Sequence, residues 1–355
     1  MRVLLVGCHF GRVEETDALL ERALIESGCE VKTFDYLASA VRVPLVHSLV
    51  PARIRSLLSP RRIAAVAQHD AQASNVRFVE AVRHFQPDAV LALRAERLDA
   101  AALAVARKQA VLLNWTSDEP WRFNPSETVE CFDLWAVTDR TWETWLAERG
   151  ASRVEYLALA CDPKLHAPVE LSADEKTKWR SEICFVGSYL PLRENYLKSV
   201  ADLGLAVWGP GWDQVQDAAL RRCVRSSRPL ARKDWLKAYA AAKVVVNIQG
   251  QGVEGLSLRI WEALAAQTCL VTDYRIDFER LLPGQGASFR SAAELKSICQ
   301  ALLADEPRRL KLARAGREAV LNGHTFLHRA KTLVAWMEAI RRERPTREKP
   351  LDGPG

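Results

Sequence analysis

The 355-residue chain carries 50 lysines and arginines against 44 acidic residues, a formal net charge of +6, with 48% apolar and 26% charged residues. That length holds two globular domains with full cores. The basic surplus is spread along the chain, which excludes a nucleic-acid arm and leaves anionic small molecules or an anionic membrane surface as partners.

The opening MRVLLVGCHFG has too short an apolar run for a leader and runs into a charged helix, so Arg2–Gly7 reads as a first strand. No run approaches the ~18 apolar residues of a membrane span, so the expectation is a soluble or at most peripheral protein. A helix over 14–27, with Leu19, Leu20, Ala23 and Leu24 on one face, and a strand over 30–34 follow. An insertion over 41–85 is mostly helical in pattern. Strands at 88–93, 110–114, 134–138 and 153–157 alternate with helices near 98–108 and 140–149. Strands spaced by helices predict a parallel sheet covered on both faces.

Residues 158–180 read as the interdomain linker and cleft floor. The alternation restarts with strands at 183–187, 205–208, 243–248 and 268–272 and helices at 192–203, 231–241 and 257–266. Helices at 291–304, 306–320 and 325–342 finish the pattern. The tail from Arg344 is charged, rich in Pro and Gly, and expected to be disordered. Eight cysteines stand singly with no C-x-x-C pair. That argues for a reducing cytoplasm and against a disulfide framework or a zinc site, with Cys184 and Cys269 as small core residues.

The stretch VEGLSLRIWEALAAQTCLVTD, from Val253 to Asp273, concentrates the chemistry. Glu254 lies in a loop, Glu262 on a helix whose apolar face carries Leu258, Trp261, Ala265 and Ala266, and Ser257 is the expected N-cap. A helix N-terminus favours phosphate, while carboxylates accept from hydroxyls. Together they suit a polyhydroxylated, phosphorylated ligand. Gly187 ends a strand where backbone can approach a pyrophosphate, and Arg193 and Arg259 are candidates to neutralise it. The competing readings are an ordinary strand-to-helix turn for the first two and a helix-surface pair with Glu262 for the third. Trp208, Trp212, Asn247 and Gln249 stand at strand ends, placed to line a nucleotide pocket unless the tryptophans are core.

These segments, CFVGS at 184–188, WGPGW at 208–212, AKVVVNIQ at 242–249 and SLRIWEALAAQ at 257–267, resemble retaining glycosyltransferases of the GT-B fold, family 4, and most closely their CgeB-like branch. The resemblance implies an α/β, GT-B architecture: two Rossmann-like domains facing a central cleft. Its expected division is an acceptor-side domain over 1–165, a nucleotide-sugar-binding domain over 166–324, a helix over 325–343 crossing back to the first domain, and the tail over 344–355. It implies a hexosyltransferase-type enzyme moving a sugar from a nucleotide-sugar donor to an unidentified glycan, lipid-linked or small-molecule acceptor, with retention and without metal or cofactor. By the family's pattern Glu254 contacts the donor sugar and Glu262 the ribose.

In the first half, Asn114–Trp121 leaves a strand end and matches a tryptophan–aspartate–proline stretch of CgeB-like relatives. Asp118 is the candidate for acceptor contact, as base or orienting group, with Trp115 and Trp121 as stacking surfaces. His9, bracketed by Gly7 and Gly11, is a second candidate. His324 and His328 stand four apart but lack a third ligand, so no metal site is expected. Residues 43–67 alternate aliphatic side chains with arginine, either as an amphipathic membrane contact or as a core-packed helix pair. Two other functions stay open: a nucleotide-sugar 2-epimerase on the same fold, and a non-catalytic nucleotide-sugar-binding subunit.

Overall fold

The computed structural model describes residues 1–8, 15–38, 60–230, 233–250 and 252–344, the side chains of 60–70 excepted. The chain divides into two compact units. The first comprises Met1–Val137, Trp142–Leu157 and Ala330–Gly355; the second comprises Thr138–Thr141 and Ala158–Arg329.

In the first unit β1 (Arg2–Gly7), β2 (Glu30–Asp35), β3 (Ala89–Ala92), β4 (Val111–Thr116), β5 (Leu134–Val137) and β6 (Val154–Tyr156) form one sheet in the order β2-β1-β3-β4-β5-β6. Every pairing is parallel. The central strands are buried along their whole length, so they read as continuous apolar runs rather than alternating ones. Helices α1 (Thr16–Glu26), α2 (Pro60–Phe85), α3 (Ala100–Arg107), α4 (Pro120–Phe123) and α5 (Glu143–Ala147) connect them. The core joins Leu4, Val6, Phe78, Val90, Leu112, Trp135 and Trp142.

The second unit repeats the plan. Its strands are β7 (Ser181–Val186), β8 (Leu205–Trp208), β9 (Val224–Ser226), β10 (Ala242–Asn247), β11 (Leu270–Asp273) and β12 (Ala287–Phe289), in the order β12-β11-β10-β7-β8-β9. All neighbours run parallel. The helices are α6 (Ala173–Trp179), α7 (Pro191–Leu197), α8 (Ala218–Cys223), α9 (Asp234–Ala240), α10 (Leu258–Ala265), α11 (Ile276–Leu281), α12 (Ala292–Ala304) and α13 (Glu306–Gly323). A last helix, α14 (Phe326–Glu343), starts in the second unit, and its residues from Ala330 onward belong to the first. There Arg341 pairs with Asp88, and Arg344 donates to Asp133 and to the Ala110 carbonyl.

Five elements differ from the sequence expectation. The segment read as linker contains α6, whose Ser172–Glu175 capping box satisfies two orphan N–H groups at its start. β9 and β12 are edge strands of three residues, too short to show a period, and α8 and α11 are single-turn helices of six. Seven of the eight cysteines are buried and all eight are free thiols. His9, the tail from 345 onward and most of the 43–67 segment lie outside the described residues.

Candidate functional site

In the second sheet the chain runs outward from β7 through β8 to β9, then returns to the other side of β7 as β10. The reversal leaves a crevice beyond the carboxyl ends of β7 and β10, where open α/β sheets bind ligands. The residues there are Val186–Ser188 and Asn247–Gln249. Backbone packing is tightest on the glycines. A Cβ on Gly209, at φ +141°, would lie 2.1 Å from the Gly187 carbonyl oxygen, and one on Gly187 would lie 2.7 Å from Arg259 Nη1. Only glycine fits either position without a shift.

Arg193 spans the crevice floor. It is 6% exposed, donating from Nε to the Ile248 carbonyl at 2.9 Å and from Nη1 to the Ser188 carbonyl at 2.8 Å. Burial, and then the neighbouring charge of Arg259, lower its pKa to about 10. Two guanidinium groups thus come close enough to oppose each other's charge, an arrangement an anion would relieve. Arg193, a sequence candidate for neutralising a diphosphate or else a surface arginine, is buried and commits two of its donors to carbonyls, so it holds the two strand ends together.

Arg259 stands on the first turn of α10. Ser257 occupies the N-cap position with extended backbone, but its hydroxyl does not cap the helix; it donates to Asn247 Oδ1 at 3.2 Å. Asn247 Oδ1 also accepts from Arg259 Nε at 3.3 Å, and its amide donates to Thr272 Oγ1 at 3.1 Å. Asn247, 2% exposed, therefore organises the helix start rather than lining a pocket. The Gln249 amide donates to the Gly255 carbonyl at 2.6 Å and fixes the intervening loop, while its Oε1 is buried without a hydrogen-bond partner among the described residues. At the far end of α10, Arg317 donates to the Ala265 carbonyl, satisfying an orphan acceptor.

Glu262, one turn beyond Arg259, is 9% exposed, with His166 Nε2 3.7 Å from its Oε1. Together with Gly187, Ser188, Gly209, Arg259, Trp235 and Tyr239 it lines a cavity of about 260 Å³. Burial first, and the charge of Glu262 second, push the Tyr239 phenol pKa well up. Glu254 is 53% exposed in the loop ahead of α10, with Oε1 3.2 Å from Arg275 Nη1. Its backbone N–H and that of Gly255 donate to Asp139 Oδ2 at 2.7 and 3.0 Å.

The strand-end tryptophans do not line this cavity. Trp208 packs on Trp179, and Trp212 sits edge-on to Phe185 and Tyr189 with its indole N–H donating to the Gly187 carbonyl. Both are core. The aromatic lining comes instead from Trp235 and Tyr239, four apart on one face of α9. That i, i+4 aromatic pair is a signal the sequence does carry.

In the first unit, Asp118 is salt-bridged by Arg94, whose guanidinium lies 4.3 Å from the Phe123 ring centre. Thr116 Oγ1 donates to the Asp118 carbonyl at 2.6 Å, fixing the turn. Trp115 is buried, donating to the Leu157 carbonyl, and offers no stacking surface. Trp121 is 48% exposed, tilted against Trp145. His328 accepts or donates with Thr325 Oγ1 at 2.7 Å, and His324 lies beside Trp261. Among the described residues no group of three His, Cys, Asp or Glu side chains converges as a metal site would need.

Residues 193–335 match a protein family described as glycosyl transferase-like. No curated relative matches the sequence. Sucrose-phosphate synthase from Thermosynechococcus elongatus superposes with a TM-score of 0.65 at 16% identity, covering 97% of this chain and 100% of that one. HepE of Anabaena, solved with UDP-glucose, gives 0.59 at 14% identity, covering 94% and 100%. A putative UDP-N-acetylglucosamine 2-epimerase from Listeria monocytogenes gives 0.57 at 12%, covering 97% of each. The chain has the GT-B fold.

Proposed function

We propose that the chain is a glycosyltransferase that takes a sugar from a nucleotide-sugar donor and transfers it with retention to an acceptor, and that it stands in the CgeB-like branch of family 4. The observation that carries this reading is the crevice at the β7–β10 reversal. Arg259, with Arg193 close enough to oppose its charge, lines one cavity together with Gly187, Gly209, Glu262, Trp235 and Tyr239. An anion seated against Arg259 and the α10 N–H groups relieves the charge on the Arg193 pair. Glu262 accepts from ribose hydroxyls, and Trp235 and Tyr239 flank the base.

The chemistry follows from the same groups. The departing diphosphate gains negative charge as the glycosidic bond to it breaks, and Arg259 with the helix N-terminus is already in place to stabilise that charge. No metal is needed for this duty. Glu254 accepts from hydroxyls of the transferring sugar, and Asp118, held by Arg94, orients the acceptor. HepE has been solved with UDP-glucose and with UDP, which makes a uridine donor the first to test. Reduced, buried thiols fit the cytoplasm, and peripheral membrane contact through 43–67 is the further proposal for a lipid-linked acceptor. No helix among the described residues is long and apolar enough to cross a membrane.

The test is a thermal-shift panel of UDP-, GDP-, dTDP- and ADP-glucose, followed by product analysis with and without EDTA. A donor at a hundredfold excess over its dissociation constant stabilises the fold by about 2.7 kcal/mol. Transfer or slow donor hydrolysis in EDTA supports the reading. Epimerised sugar without hydrolysis or transfer would assign the chain to the 2-epimerase reading instead. Binding without any turnover would leave a non-catalytic subunit.

A further inference from the structure

Arg275, just beyond β11, lies 21 residues from Glu254, and nothing in its local sequence marks it as more than a surface basic residue. Its side chain is 11% exposed and serves three partners. Nε and Nη2 donate to Asp273 Oδ2, while Nη1 donates both to the Val253 carbonyl and, at 3.2 Å, to Glu254 Oε1. Asp273 is anchored in turn: its Oδ1 accepts from the Gln249 N–H at 3.1 Å and from Thr272 Oγ1 at 3.3 Å. A continuous chain of charge-assisted bonds therefore runs from the ends of β10 and β11 to the loop that carries Glu254.

An exposed ion pair usually contributes little, because two flexible side chains must be ordered to form it. This pair differs. The guanidinium is already fixed at Asp273 and Val253, so holding Glu254 costs only the ordering of one carboxylate. Arg275 also supplies positive charge shared by the Asp273 and Glu254 carboxylates. With Nη1 on Oε1, Glu254 Oε2 hydrogen-bonds to nothing among the described residues and is open to a ligand hydroxyl.

We propose that Arg275 is a positioning residue for sugar transfer, clamping the Glu254 loop and orienting the Glu254 carboxylate toward the donor sugar. The proposal rests on the assignment of Glu254 to that sugar. Its signature is a split between the sugar and the nucleotide, because Arg275 touches the Glu254 loop and none of the residues lining the nucleotide cavity.

The experiment compares Arg275→Met, Arg275→Lys, Glu254→Gln and the double variant Glu254→Gln/Arg275→Met. Each is titrated calorimetrically with the nucleoside diphosphate selected by the panel and assayed for turnover of its glucose conjugate. Arg275→Met is expected to keep diphosphate affinity within about twofold while turnover falls by about tenfold to a hundredfold, with Arg275→Lys between the two. The double variant should be no slower than the slower single variant, since both act through one carboxylate. If Glu254→Gln is slow but Arg275→Met turns over at the wild-type rate, the clamp is wrong. Diphosphate affinity and melting temperature that fall in step with turnover would reduce Arg275 to a structural residue and overturn the proposal. Full turnover in both single variants would instead remove Glu254 from the sugar, and the clamp with it.

Discussion

Both sheets are parallel and six-stranded, and their carboxyl ends differ in how charge is handled. In the first unit Arg94 and Asp118 neutralise each other over the Phe123 ring, each partly exposed. In the second, Arg193 and Arg259 stand close enough to oppose each other's charge, with Asp273, whose charge partly offsets Arg193, bonded to Arg275, and Glu194 accepting from the N–H groups of Gln216 and Asp217. A neutral pair suits hydroxylated, uncharged matter, whereas two neighbouring cations suit an anion. This contrast is what the proposed diphosphate site in the second unit and the proposed acceptor contact at Asp118 in the first rest on. Equivalent strand ends acquire different chemistry through where their counter-charges go.

The largest expected effect tests this asymmetry. Arg259→Ala should lower turnover by about a hundredfold or more with little change in melting temperature, since it removes charge aimed at the leaving group. Added magnesium should not restore the rate, which steady-state kinetics with and without the metal would show. Arg193→Ala should behave differently. It leaves the Ile248 and Ser188 carbonyls buried without their donor, so it should cost about 2–4 kcal/mol of stability in denaturant titration as well as activity. Identical profiles for the two variants would erase the distinction between ligand and tie.

Gly209→Ala comes next. Its Cβ would collide with the Gly187 carbonyl at a positive φ, so unfolding should become easier by about 2 kcal/mol or more. A fully stable Gly209→Ala would mean the two turns are not packed as described. Smaller again is the aromatic contrast: Trp235→Ala should weaken nucleotide binding by about 1–2 kcal/mol, while Trp208→Phe leaves it unchanged.

A separate effect is one of pH. Burial, then the charge of Arg329, lower the His324 pKa from 6.5 to about 4. The unfolded chain then binds this proton more readily than the folded one, so stability is retained above pH 6.5 and lost as pH falls toward 4. His324→Gln should flatten that decline by about 1–3 kcal/mol, measured as unfolding free energy across the window.

Much of this was legible in the sequence, and the gaps have physical causes. The alternation of strands and helices, the glycine of CFVGS and the helix bearing Glu262 all follow from local patterns. The failures concern side-chain direction at strand ends. Trp208 and Trp212 look like a nucleotide platform, yet Gly211, in the left-handed region, turns Trp212 back onto Phe185. Asn247 spends its polar atoms on the α10 start and on Thr272, and Gln249 spends its amide N–H on the loop, choices made by Ser257, Arg259, Thr272 and Gly255 rather than by the strand itself. Arg275 and His166 reach the two glutamates from distant points in the chain, and no spacing rule connects them. The capping box of α6 and the Trp235–Tyr239 pair were readable and simply sit in segments where mixed charge masks the period.

The central claim is that the crevice at the β7–β10 reversal binds the nucleotide of a sugar donor. Calorimetric titration of the wild-type chain and of Glu262→Ala with UDP, GDP, dTDP and ADP tests it most directly. The account predicts saturable binding of at least one diphosphate by the wild type, weakened by about 1–3 kcal/mol in a correctly folded Glu262→Ala through loss of the ribose hydrogen bonds. No binding by the wild type, or an affinity that Glu262→Ala leaves untouched, would contradict it.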